Sequence, residues 1–154
     1  DGFFPISENY HQQGILNKTI APIIIDNNVE IDLRLKTKEL SHNLNFYGIL
    51  AIELFELLDG SILFNEIAPR PHNSFHWTMD GCDNSQFDIL IRTICGLPVK
   101  DVKCSGKWEM TNIIGEEINN IGDIINNQDY MLHLYSKQQT KPGRKMGHYN
   151  TKII

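Results

Sequence analysis

The chain has few cysteines, no long apolar run and no surplus of positive charge, and each shortage removes a class of function. Three cysteines, Cys82, Cys95 and Cys104, include no CxxC pair, which argues against a disulfide framework and predicts reduced thiols. The six histidines are read as showing neither HxxxH nor HExxH spacing, so a zinc site is not expected. No stretch is apolar enough to span a bilayer and no secretory leader is evident, so a cytoplasmic location with no membrane partner is expected. A formal charge of −5 leaves no electrostatic footprint for nucleic acid. No internal repeat is present.

What is there reads as an ordinary globular domain, with 41 % hydrophobic and 21 % charged residues in 154. The chain opens "DGFFPISENY", without Met and already patterned, so it reads as a piece of something longer. Residues 15 to 25 are isoleucine-rich and predict a strand, with Pro22 at an edge or bulge. Asn27 and Asn28 offer a helix start, followed by Val29, Leu33, Leu40 and Leu44 on one face. Asp83 with Gln86 reads as a capping box for a helix whose stripe is Phe87, Leu90, Ile91 and Ile94, ended by Gly96 and Pro98. Beyond residue 107, short strand-like pieces alternate with asparagine- and glycine-rich turns. The fold class expected is α+β, with a mostly antiparallel sheet, two helices and a small β-rich tail.

Most of the chemistry sits in "NEIAPRPHNSFHW", residues 65 to 77, which follows an apolar run. Upstream, two apolar runs flank Asp59-Gly60, a strong hairpin signal because both positions tolerate positive φ. A two-residue loop there sets Leu58 opposite Ser61 and, further along, Glu53 opposite Glu66. Phe55, Ile62 and Phe64 would share that face. Two opposed carboxylates in an apolar surround repel and resist ionisation, so the pair calls for a cation such as Mg²⁺. The alternative is a longer turn with a slipped register that sends one glutamate to solvent.

The same stretch, followed by "SQFDILIRTICGLP", closely resembles the 5-(carboxyamino)imidazole ribonucleotide synthetase family of ATP-grasp enzymes. That family supplies the ATPase component of phosphoribosylaminoimidazole carboxylase. "PISENYHQQGIL" and "HLYSKQQTKPGRKMGH" resemble further family segments, so the likeness runs from residue 5 to 148. It implies the second half of an ATP-grasp domain over residues 1–100 and a small β-rich C-terminal domain over 101–154. It implies the carboxylation of 5-aminoimidazole ribonucleotide by bicarbonate in purine biosynthesis, driven by ATP through carboxyphosphate. ATP and Mg²⁺ are the implied cofactors, and the longer enzyme is suggested to be a homodimer.

By the same resemblance Glu53 and Glu66 match the Mg²⁺-binding glutamates, with Asn65 beside them at the nucleotide. Arg70, His72 and Asn73 match the loop expected to hold bicarbonate and the carboxylating species. Arg offers a planar fork for such an anion, and His moves protons near neutral pH. Lys137, Arg144 and Lys145 are candidates for the ribonucleotide 5′-phosphate, with Lys137 and Arg144 ranked above Lys145, and Gly143 lets the backbone approach the anion. Glu8, Asn9 and His11 are expected near the cleft without an assigned role. Trp77, Trp108, Tyr47 and Phe87 read as core or interface, and Cys95 as a packed small side chain. The segment between the two glutamates is one residue longer than the family pattern. Phe75 stands where the family has Gly, which would strain a backbone needing positive φ. Two other readings remain open. One is a formate-using ligase of the same superfamily. The other is a catalytically silent nucleotide- or phosphoribosyl-binding module.

Overall fold

The computed structural model describes residues 2–153. Strand β1 (Glu8–Gln12) pairs with β2 (Ile15–Ala21), whose β-branched side chains suit a pleated, half-buried surface and which stops before Pro22, a residue without an N–H to offer. Helix α1 (Asn27–Asn43) starts where expected. Its cap is one residue earlier, with the Asp26 carboxylate accepting from the N–H groups of Asn28 and Val29.

Strands β3 (Ala51–Glu56) and β4 (Ile62–Ala68) form the expected hairpin, but by another route. The loop has three residues, Leu58 to Gly60, closed by Leu57 N–H donating to Ser61 O, with Gly60 at φ +80°. This shifts the ladder by one, pairing Glu56 with Ile62 and Leu54 with Phe64. An irregularity then leaves Asn65 unpaired and shifts the ladder back, so Glu53 does face Glu66. The extra residue between the glutamates is thus absorbed by a longer turn and a bulge together. The expected apolar surround is overturned. Ile62 and Phe64 pair with residues on the face opposite Glu53, and Phe55 and Phe64 are 54 % and 60 % exposed.

Two short elements follow the polar stretch, a 3-10 turn over Asn73–Phe75 and helix α2 (Thr78–Gly81). Helix α3 (Gln86–Ile94) is where the periodicity put it, but its capping box is Ser85 with Asp88 rather than Asp83 with Gln86. Asp83 is occupied otherwise: its carboxylate accepts from Lys103 N–H. Of the expected stripe, Phe87, Ile91 and Ile94 are exposed, and it is Gln86 and Ile89 that are buried. Cys95 is exposed as well, not packed.

The tail supplies β5 (Trp108–Ile114), β6 (Tyr130–Leu134) and β7 (Lys145–Lys152). The asparagine-rich segment expected as turn holds a 3-10 stretch over Gly115–Asn120 and a short helix α4 (Ile121–Ile125). One antiparallel sheet runs β1-β2-β5-β7-β6, so it takes strands from both sides of residue 100. Its core joins Leu16, Ala21 and Met110 to the buried indoles of Trp77 and Trp108. Gly81 is required between those rings: a Cβ there would stand 2.8 Å from Trp77 and 2.9 Å from Trp108. Tyr47, by contrast, is 89 % exposed.

The expectation of reduced thiols is overturned at two positions. Cys82 and Cys104 are joined by a disulfide packed against this core. A local antiparallel bridge aligns them, with Asp83 N–H donating to Lys103 O and Ser105 N–H to Gly81 O. A separation of 22 residues hid that pairing from the sequence.

On the interior strand β7, His148 lies between His76 at 4.9 Å and His133 at 4.7 Å, ring centre to ring centre. Its Nδ1 meets the Tyr135 hydroxyl at 2.7 Å, and His133 pairs with Asp80 at 2.8 Å. Burial pushes His148 down to about 3 and His76 down to about 4, and the neighbouring imidazoles add to both shifts. Burial also raises the Tyr135 phenol above its ordinary value.

Two stability measurements follow from this fold. Closing a loop of this length is worth about 3 kcal/mol, so reduction, or Cys82→Ser with Cys104→Ser, is expected to lower the denaturant-derived unfolding free energy by about that much. An unchanged midpoint with and without reductant would remove the bond from the account. For the histidines, the unfolded chain binds the proton first as pH falls. Their stabilisation is therefore complete above about 6.5 and is lost progressively below it. His148 contributes a slope of about 1.4 kcal/mol per pH unit between about 6.5 and its folded value. His148→Gln should flatten the pH dependence of unfolding in that window, and a slope equal to wild type would contradict the assignment.

Candidate functional site

The bulge at Asn65 and the prolines after it turn the chain from β4 back over the end of β3. Glu53, partly buried, and Glu66, exposed, come to face the imidazole of His72. His72 Nε2 lies 3.2 Å from Glu66, and its Nδ1 lies 3.7 Å from Glu53 and 2.8 Å from the Ser74 hydroxyl. One ligand atom from each of Glu53, Glu66 and His72 falls within 4.8 Å of the others, a spacing that would let a single cation bridge them. Glu53 is itself oriented. The Thr19 hydroxyl, fully buried, donates to Asn9 Oδ1 at 2.9 Å. That fixes the amide so that Asn9 Nδ2 donates to Glu53 Oε1 at 3.2 Å, while Asn65 Nδ2 reaches Glu53 Oε2 at 3.4 Å.

Across an open cleft of about 490 Å³ stand Lys137 and Lys145, with His11, Ile15, Leu16 and Gly143 along the floor and rim. Lys137 donates to Lys145 O at 2.5 Å and lies over the Tyr135 ring. Burial holds Lys145 below the ordinary lysine value, opposed by Glu53 and assisted by like charge on Lys137 and Arg70. Gly143 sits at φ +73°, a conformation L side chains rarely adopt, and a Cβ there would also press on the Ile15 side-chain tip at 2.9 Å. Carboxylates on one wall and ammonium groups on the other suit a phosphate-bearing substrate that brings a divalent cation.

The nine expected site residues are not all equally placed. Glu53, Glu66, His72, Lys137 and Lys145 line this cleft. Arg70 is exposed near its mouth, with Nη1 on Pro71 O at 3.0 Å, and Arg144 is turned to Gln139 O at 3.1 Å. Neither guanidinium is among the cleft's lining groups. Lys145 thus lies on the cleft wall while Arg144 lies off it. Asn73 exchanges two hydrogen bonds with the buried Asn112 amide, at 3.0 and 2.6 Å, and so ties the loop to β5. Asn65 touches Glu53 from the bulge.

Phe75 carries no strain. It lies in the 3-10 turn, is not among the residues with positive φ, and packs its ring 5.9 Å from Phe4. The expectation of no HxxxH spacing is wrong, because His72 and His76 have it, but their rings diverge. His72 faces the carboxylates, whereas His76 Nδ1 accepts from Gln86 Nε2 at 2.8 Å beside His148. Sequence reasoning also missed Asn112, Tyr135 and Gln86 as neighbours of the site. A buried amide or phenol leaves no periodic or motif signal of its own. Of Glu8, Asn9 and His11, all expected near the cleft, His11 lines it and Asn9 reaches Glu53, whereas Glu8 is not among the lining residues.

Comparison with known proteins gives the same arrangement a lineage. The ATP-grasp domain model matches residues 1–87, and the phosphoribosylaminoimidazole carboxylase C-terminal domain model matches residues 109–152. The N5-carboxyaminoimidazole ribonucleotide synthase of Brucella melitensis is 39 % identical over 145 residues, covering 94 % of this chain and 40 % of the relative. A crystal structure of N5-carboxyaminoimidazole ribonucleotide synthetase with ADP superposes with a TM-score of 0.89 at 42 % identity, over 96 % of this chain and 40 % of that one. The Aspergillus clavatus synthase, solved with ADP and 5-aminoimidazole ribonucleotide, gives 0.81 at 34 % identity over 97 % and 42 %. The chain thus spans about 40 % of the length of the relatives it matches. With its first 87 residues matched by that domain, the chain belongs to the ATP-grasp family.

Proposed function

We propose that this chain is the C-terminal part of an ATP-dependent ligase that carboxylates 5-aminoimidazole ribonucleotide with bicarbonate through carboxyphosphate, in cytoplasmic purine biosynthesis. The observation that carries the reading is the cleft itself, with Glu53, Glu66 and His72 facing Lys137 and Lys145. The relatives named above carry the same activity in their names, and one binds ADP together with the ribonucleotide. Residues 1–100 then act as the second half of an ATP-grasp domain and 101–154 as its C-terminal domain. Exposed apolar side chains on α1 and the hairpin, among them Leu35, Phe55, Leu58 and Phe64, fit a reading in which the rest of the grasp lies against them. The longer enzyme would work as a homodimer on small-molecule substrates.

Each residue then has a task its chemistry suits. Glu53 and Glu66 would hold Mg²⁺ through hard oxygen donors, with Asn65 and Asn9 orienting Glu53. When bound, that ion neutralises charge on the ATP phosphates. Arg70 offers its fork to bicarbonate, which requires the exposed guanidinium to leave Pro71 O and turn inward. His72, beside both carboxylates, is placed to hold or pass a proton at the reacting carboxylate. Asn73 keeps that loop on β5 rather than touching substrate. Lys137 and Lys145, with Arg144 further out, match the 5′-phosphate of the ribonucleotide.

In the longer enzyme, Glu66→Ala is expected to lower Mg²⁺-dependent turnover at least about a hundredfold, and Arg70→Ala to lower it by about a hundredfold with ATP affinity within about twofold. Turnover should require both bicarbonate and aminoimidazole ribonucleotide, and comparable turnover with formate would sink the carboxylation reading. The chain by itself is expected to hydrolyse no ATP. Hydrolysis by it alone would contradict its role as one wall of the site.

A further inference from the structure

The site's geometry hangs on a residue with no part in the chemistry assigned so far. Gln86, the first residue of α3, is 1 % exposed. Its Oε1 accepts from His72 N–H at 2.8 Å, and its Nε2 donates to His72 O at 2.9 Å. The second hydrogen on Nε2 goes to His76 Nδ1 at 2.8 Å. One amide therefore treats His72 as a neighbouring strand would, pairing both its backbone groups while His72 sits at φ −119°, ψ 145°. The amide cannot be turned over, because Oε1 would then confront a carbonyl and Nε2 an N–H. This also fixes His76 as an acceptor at Nδ1, with its proton on Nε2. Gln86 is in turn held by its own N–H on Thr78 Oγ1 at 3.1 Å, and Thr78 donates to Phe75 O at 2.6 Å.

We propose that Gln86 is the positioning residue of this site. By holding the His72 backbone extended, it sets the imidazole against Glu53 and Glu66 on the far side of the loop. Helix α3, rigidly capped by Ser85 and Asp88, is the anchor, and Gln86 is the strut from that anchor to the ring. What the ring does there rests on the carboxylation reading above, but the strut itself does not.

The test uses Gln86→Met, which keeps length and packing but pairs neither backbone group, and Gln86→Glu, which keeps the acceptor and loses the donors as a carboxylate. In the ¹⁵N-labelled chain, the His72 amide should exchange with solvent at least about tenfold faster in Gln86→Met, as expected for losing a buried hydrogen bond, while the amides of β5 and β7 keep their protection. Gln86→Glu keeps the acceptor for His72 N–H but sets an oxygen against His72 O, so it should protect that amide less than wild type and more than Gln86→Met, and move the His76 proton to Nδ1, read from the ring nitrogen shifts. Unchanged His72 exchange in Gln86→Met, or an unmoved His76 proton in Gln86→Glu, would overturn the proposal. If Gln86→Met does not fold, Gln86→Glu decides alone. In the longer enzyme, Gln86→Met should lower kcat about tenfold or more with KM for ATP within about twofold, through misplacement of His72. A wild-type enzyme that fails to carboxylate the ribonucleotide would sink the functional reading only, since the exchange and ring measurements need no turnover.

Discussion

Everything in the cleft follows from one pairing, Glu53 opposite Glu66 across the β3–β4 ladder. Like charges directly opposed on a ladder destabilise it, so the register persists only if something of opposite sign or with donor groups is supplied. The protein supplies donors from three directions: Asn9 from β1, Asn65 from the bulge and His72 from the following loop. In the proposed function a divalent cation would complete the set. The same pairing decides where the loop emerges, and so brings His72 to the carboxylates and leaves Lys137 and Lys145 facing them.

The loop is held from its far side rather than by its own contacts to the cleft. Gln86 pairs the His72 backbone, Asn112 pairs the Asn73 amide, and Trp77 is sunk between the sheet and α2. Three buried groups thus turn a flexible polar segment into part of the scaffold, which is how a loop delivers a side chain to within a few tenths of an ångström. The disulfide between Cys82 and Cys104 closes the same region just beyond α2. Polar chemistry faces the cleft, and aromatic and sulfur packing lies behind it.

The hairpin, α1, α3 and the β-rich tail were legible because period and turn chemistry are local. The pairing of Glu53 with Glu66 was legible for a less secure reason. The assumed two-residue turn was one residue too short, and the bulge at Asn65 cancelled that difference. The face of Phe64 was misread because the bulge reverses alternation along β4. Phe75 looked strained because a family glycine suggested positive φ, yet the 3-10 turn has ordinary dihedrals there. The cap of α3 was misassigned to Asp83, two residues before the true cap Ser85. The pairings of Gln86 with His72, Asn112 with Asn73 and Cys82 with Cys104 were not legible at all, since they are set by tertiary contact across 14, 39 and 22 residues.

The most direct test of this account is where a divalent cation settles. Mn²⁺ at low occupancy can be added to the ¹⁵N-labelled chain and the paramagnetic broadening mapped residue by residue. The first amides lost are expected to be those around Glu53, Glu66 and His72. Broadening centred instead on the acidic stretch at Glu116, Glu117 and Asp123, or none at the paired glutamates, would contradict it.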